Sequence, residues 1–268
     1  FVGASPFMTL PVAAAGSTAA CEIGAYPSAD GDAVVLTQRD DKYRYTFVDG
    51  RYGYVSDPGA LVSCASEAVT VAGADGEPDL WPKIPLRVTS TSFESHGTKL
   101  AGQLIEPVGE GKEPLVVMVH GSERTGWIGR VPYPWIAAAQ GVSAFIFDKR
   151  GTGMSEGEYT QNFTRLAEDV VAASAEARRL GAGRFSRIGL FGGSQGGWIA
   201  PLAAKKARAE FLVVGFGLVL SPLEEDAEQV FAELKSKGYG SDVLEKARAV
   251  TDATGGVMAC HFECGFDE

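Results

Sequence analysis

The spacing of apolar positions changes character near residue 86. Before it, short runs alternate: Tyr43, Tyr45 and Phe47 are interleaved with Arg44, Thr46 and Val48. Period two is the signature of a half-buried strand. Asp49-Gly50 then leads into Tyr52-Gly53-Tyr54-Val55, a hairpin signal. Asp57-Pro58-Gly59 marks a second turn, and Leu61 to Val71 a further apolar strand. This predicts a small β-rich domain over residues 21–72. Residues 73–85 carry Gly73, Gly76, Pro78, Pro82 and Pro85, the composition of a linker.

From residue 86 the pattern is different. Val88–Glu94 and Lys99–Ile105 read as strands joined at Ser95-His96-Gly97. Leu115–Val119, Val142–Phe147, Ile188–Phe191 and Phe211–Leu220 are continuous apolar runs, as parallel strands buried on both faces require. Helical segments separate them. Trp135–Gln140 is one. Residues 162–180 are another, with Leu166, Val170, Ala173 and Ala177 at helical spacing. Residues 197–208 are a third, although Pro201 removes one backbone bond from it. Such alternation predicts an α/β fold with a doubly wound, mostly parallel sheet over residues 86–220. In residues 221–268 the alternation stops, and two charged helices are expected at 223–237 and 242–251.

Composition narrows the classes. Of 268 residues, 45% are hydrophobic and 22% charged, which suits a globular protein with a buried core. The net charge of −10 and the absence of a Lys/Arg cluster argue against nucleic acid as a partner. No run reaches the roughly 18 apolar residues of a membrane span, so no integral membrane segment is expected. Residues 1–20 are small and apolar and contain Ala13-Ala14-Ala15. They read as a signal-peptide remnant, the alternative being a disordered leader. A secreted or periplasmic protein is the corresponding expectation, with a cytoplasmic one as the alternative. Cys21, Cys64, Cys260 and Cys264 allow three pairings, and the sequence does not choose. Cys260-x₃-Cys264 brackets His261 but lacks a second ligand pair, so no metal is expected, nor any cofactor.

Three glycine-rich stretches carry the chemistry. Gly192-Gly193-Ser194-Gln195-Gly196 lies between a strand and a helix, the setting in which G-x-S-x-G places a hydroxyl on a sharp, strained turn. His120-Gly121-Ser122-Glu123 follows Val116–Val119 directly. Acyl transfer needs two N–H donors for the developing oxyanion. Gln195, after the serine, and Ser122, in this loop, are the candidates. His120 and Gly121 are read as positioning that loop, with His120 as general base the less favoured alternative. Asp148-Lys149-Arg150-Gly151-Thr152-Gly153-Met154-Ser155 lacks the G-x-x-x-x-G-K-[ST] pattern of a phosphate loop. Asp148 and Arg150 are expected to form a buried pair that fixes it.

In this order and spacing, the three stretches resemble the α/β-hydrolase superfamily, particularly bacterial esterases and serine-aminopeptidase-like members. The resemblance covers about residues 86–220. It implies Ser194 as nucleophile, Ser122 and Gln195 N–H groups as oxyanion hole, and residues 221–268 as a helical cap segment.

The family order places an acid and then a histidine after the serine. Only His261 follows Ser194, and Asp226, Asp242 and Asp252 all lie in helical segments. His261 is therefore a weak candidate base. The expectation is instead a chain truncated after Glu268, an incomplete hydrolase fold that is inactive as given. The function expected of the family is serine hydrolysis of a carboxylic ester or an amide or peptide. The alternative is a non-catalytic relative whose β-rich domain binds a partner or wall component through Tyr43, Tyr45, Tyr52 and Tyr54. Enzymes with Asp or Cys at the elbow, such as dehalogenases and dienelactone hydrolases, are disfavoured by Ser194.

Overall fold

The structure, a computed structural model, describes residues 20–73, 76–109, 112–217 and 220–259. The leader, Cys260, His261 and Cys264 lie outside the described residues. The chain divides into two compact units, Phe1–Ile84 and Pro85–Glu268.

In the first unit, β1 (Gly24–Pro27), β2 (Ala33–Arg39), β3 (Lys42–Phe47) and β4 (Tyr52–Tyr54) form an antiparallel sheet in that order. A second antiparallel sheet holds β5 (Val62–Ala65), β6 (Ala68–Ala72) and β7 (Pro78–Pro82). Tyr26, Val34, Leu36, Tyr45 and Phe47 from the first sheet meet Val62, Val69 and Val71 from the second in one core, closed by Trp81. Two expectations change here. Residues 78–82 are not linker but strand β7, paired with β6 from Ala68↔Pro82 to Ala72↔Pro78. The four tyrosines do not share a face. Tyr45 pairs with Gly53, so Tyr43 and Tyr45 point opposite to Tyr52 and Tyr54. Tyr45 is buried in the core, while Tyr52 stands out under the Arg44 guanidinium.

Cys21 and Cys64 are joined in a disulfide with a Cα–Cα distance of 5.2 Å and a sequence separation of 43. Closing a loop of that length removes roughly 4 kcal/mol of unfolded-chain entropy on the chain-entropy account. A unit this small depends heavily on such a staple. Cys21→Ser with Cys64→Ser is expected to lower the thermal midpoint of this unit by roughly 15 °C or more, at 4–8 °C per kcal/mol. Calorimetry with and without a phosphine reductant checks this; the wild type should match the variant only when reduced.

The second unit is a six-stranded sheet in the order β13-β12-β10-β11-β9-β8. Its strands are β8 (Leu86–Ser95), β9 (Thr98–Pro107), β10 (Leu115–Val119), β11 (Ser143–Phe147), β12 (Ile188–Gly193) and β13 (Leu212–Gly215). β10 through β13 run parallel; β9 pairs antiparallel with β11 and β8. β10 and β11 are buried at every position, which is why they read as unbroken apolar runs.

Helices α2 (Phe163–Gly181) and α3 (Gly196–Ala204) cover one sheet face, packing Leu166, Val170, Ala173, Ile199 and Ala203 on Leu115, Val117, Phe145 and Leu190. Asn162 caps α2, accepting the Arg165 N–H at 2.9 Å. The other face carries α1 (Tyr133–Ala139), beside an open apolar groove of about 600 Å³ lined by Val116, Met118, Phe191, Phe211 and Val213. The edge strand β13 is shorter than its apolar run and leaves Leu212 and Val213 exposed. α4 (Pro222–Ser236), opened by a Ser221–Glu224 capping box, packs on α5 (Ser241–Ala259) around Phe231.

Candidate active site

The strand order reverses at β10, with β11 on one side and β12 on the other. In an open parallel sheet, that switch point is where loops from neighbouring carboxyl ends diverge and leave a crevice. The three glycine-rich stretches leave the sheet at this end, after Val119, Phe147 and Gly193.

Ser194 occupies the turn between β12 and α3 with φ +53°, a strained value for a residue with a side chain. Its N–H donates to Gly215 O at 3.0 Å, its carbonyl accepts from Gly197 N at 2.7 Å, and its side chain is exposed. The flanking glycines are required by contact. A Cβ on Gly192 would overlap Gly196 O. One on Gly196 would lie 2.5 Å from Val119 O and 2.9 Å from His120 O. Phe216, beyond β13, is also strained at φ +68° and is 86% exposed beside this turn, its carbonyl against Gly197.

Two peptide N–H groups, those of Ser122 and Gln195, have no intramolecular partner among the described residues. Gln195 stands at the N-terminus of α3, where the helix dipole favours negative charge.

Asp148 and Arg150 are both buried, but they do not pair. Asp148 Oδ1 accepts Trp127 N at 2.6 Å and Ile128 N at 3.1 Å, and its Oδ2 accepts Met154 N at 2.9 Å. A carboxylate taking three N–H bonds staples the loop after β10 to the loop after β11. Arg150 turns away to Asp169 on α2, in a two-pronged bridge at 2.6 and 2.7 Å. It also donates to Thr98 Oγ1 at 3.1 Å. The bridge raises the guanidinium pKa against the opposing effect of burial.

His120 is 1% exposed, stacked on Trp127 at 4.4 Å with Phe147 at its edge. Nδ1 lies 3.1 Å from Glu123 Oε1, but neither ring nitrogen makes an aligned hydrogen bond. Burial pushes the imidazole down, outweighing the Glu123 carboxylate beside it, so it is neutral at pH 7. Burial acts to raise Glu123, yet His120, its own N–H and the Trp127 indole hold it at about 2. His96 is the other described histidine, 2.9 Å from Glu168 on α2.

Lys149 has a role the sequence did not announce. It is 1% exposed. Its Nζ donates to Gly121 O at 2.8 Å and to Gln195 Oε1 at 3.4 Å, and lies 4.7 Å above the Tyr159 ring. Tyr159 OH donates to Ser122 O at 2.7 Å. Gln161 accepts from Gln195 Nε2 and donates to Tyr159 OH. Among the described residues no group of His, Cys, Asp and Glu could hold a metal, and no helix is long and apolar enough to cross a membrane.

Residues 111–237 match the family described as serine aminopeptidase, S33. Over 118 residues the chain is 33% identical to the quorum-quenching protein AidA of Acinetobacter baumannii, strain MDR-ZJ06. Over residues 111–237 the chain matches a family of the α/β-hydrolase fold. The match to AidA covers 43% of this chain and 38% of that protein, so the chain spans well under half of its relative's length. Among solved structures, the Pyrococcus furiosus esterase Pf2001 aligns with TM-score 0.46 and 19% identity, over 60% of each chain. Est1E of Butyrivibrio proteoclasticus, solved with ferulic acid, aligns with TM-score 0.40 and 26% identity, over 46% of this chain and 50% of Est1E.

Proposed function

We propose that this α/β hydrolase cleaves a carboxylic ester or amide through an acyl-enzyme on Ser194, with the Ser122 and Gln195 N–H groups holding the oxyanion. The observation that carries the reading is the exposed, strained Ser194 at the start of α3, with both N–H groups left without partners. Attack on the carbonyl moves a negative charge onto its oxygen, and each fixed donor there is worth about 3 kcal/mol in the transition state. A serine hydroxyl also needs a base. His120, buried under Trp127 and drawn to Glu123, suits loop positioning and not the role of base. The Cys21–Cys64 disulfide supports an oxidising compartment, secreted or periplasmic.

Covalent labelling tests the nucleophile. A fluorophosphonate probe should modify the protein once, on the peptide that contains Ser194, and Ser194→Ala should abolish the adduct in mass spectrometry. Labelling that survives Ser194→Ala would overturn the assignment. So would a folded full-length protein, with its base and acid present, that stays unmodified.

A further inference from the structure

An oxyanion hole built from two loops has a mechanical requirement. Ser122 N–H comes from the loop after β10 and Gln195 N–H from the start of α3. Their separation and direction must be fixed before charge develops, or the gain is lost to reorganisation. Nothing in regular structure fixes the first donor. Among the described residues, no N–H of residues 120–126 makes a backbone–backbone hydrogen bond.

We infer that Lys149 is the positioning residue of this oxyanion hole, acting through the peptide that joins Gly121 to Ser122. The inference rests on the reading of Ser194 as nucleophile. In a trans peptide the carbonyl and the following N–H are antiparallel. Lys149 Nζ, drawing Gly121 O inward at 2.8 Å, therefore aims Ser122 N–H the opposite way. The same ammonium reaches Gln195 Oε1, so one side chain touches both residues that supply the donors. Tyr159 fixes the next peptide through Ser122 O, and Gln161 joins Tyr159 to the Gln195 amide, which closes the ring. A cation on the carbonyl oxygen also polarises the peptide toward its N–H end, which makes Ser122 the stronger donor.

The surroundings of Lys149 keep this function sensitive to pH. Glu123 and Arg124 face it from the loop after β10, with His120 beside them. Tyr159 covers it from the loop after β11, and Gln195 comes from the elbow. α2 and α3 present only Leu166, Val170 and Ile199 to the small void at its base. Burial, with Arg124 assisting and Glu123 opposing, brings the ammonium down to about 8. The positioned state is the charged one, so it is complete well below pH 8 and weakens as pH rises through 8.

The test is the rate of Ser194 phosphonylation in the full chain, measured against probe concentration and pH for wild type, Lys149→Met, Lys149→Arg and Tyr159→Phe. Lys149→Met should lower the saturating rate by about 10- to 100-fold, because losing one donor outright costs 10²–10³. Its half-saturating probe concentration should move less than about threefold, since ground-state binding is untouched. Tyr159→Phe, which removes one hydroxyl, should fall in between and covers the case in which Lys149→Met does not fold. The wild-type rate should decline above pH 8. Lys149→Arg should recover most of the rate and lose that decline, because a guanidinium stays charged to about pH 12. Wild-type rates and pH profile in both Lys149→Met and Tyr159→Phe would overturn the positioning role and leave the nucleophile standing. A wild type that does not label at Ser194 overturns the nucleophile, and the positioning role with it.

Discussion

Asp169→Ala is expected to cost about 3–5 kcal/mol of stability, the range for removing one member of a buried ion pair. For a domain with 5–15 kcal/mol in total, this is close to unfolding. The cost is not the lost attraction. Arg150 stays charged at every accessible pH, and its head group is left among Thr98, Ser95 and α2 with only the Glu168 carboxylate, which it does not bridge, for counter-charge. The loop after β11 then loses its anchor to α2. Urea denaturation followed by tryptophan fluorescence gives the midpoint shift. The double variant Arg150→Met, Asp169→Leu separates the causes. With no stranded charge, it should recover most of the loss. A double variant as unstable as the single would mean that the bridge itself holds the fold together.

Gly196→Ala is expected to remove Ser194 reactivity by more than about 100-fold, the scale set by a 1 Å misplacement in an active site. Its Cβ would press on the Val119 and His120 carbonyls, which are backbone and cannot rotate aside. Either α3 slides outward or the loop after β10 lifts, and the two N–H donors part. Overpacking of this kind also costs about 1–3 kcal/mol. Gly193→Ala is the internal control. Its Cβ would meet Gly215 O at 3.4 Å, an ordinary contact, so labelling should stay within about threefold of wild type. Equal labelling of both variants would show that close approach at Gly196 is not what holds the turn.

The sheet of the second unit was legible because β10, β11 and β12 are largely buried on both faces and cannot hide their apolar runs. The elbow was legible because glycines are forced wherever strand and helix come this close. Three features were not. β7 was concealed by prolines, which stand at its two ends, Pro78 and Pro82, on an edge strand that can spare their N–H groups. The partners of Asp148 and Arg150 were misassigned because nearness in sequence is a poor guide on a loop. Asp148 satisfies three backbone groups, and Arg150 finds its partner on a helix 19 residues away. Asp169 did leave a trace, three residues after Leu166 and four before Ala173 on the apolar stripe of α2, where a carboxylate needs a buried partner. Lys149 left none. Its burial follows from β10 lying beside β11, which only the strand order reveals.

The open groove and the edge strand β13 give the chain's acidity a colloidal meaning. Among the described residues β13 is the last strand of the sheet, with Leu212 and Val213 exposed and Phe216 just beyond, the kind of rim on which a second sheet can grow. Long-range repulsion from a net charge of −10 holds such rims apart at neutral pH. Near the isoelectric point of 4.9 that repulsion vanishes, and high salt shortens its reach. For the edge described here, the margin against edge-to-edge association is therefore set by surface carboxylates as much as by the fold.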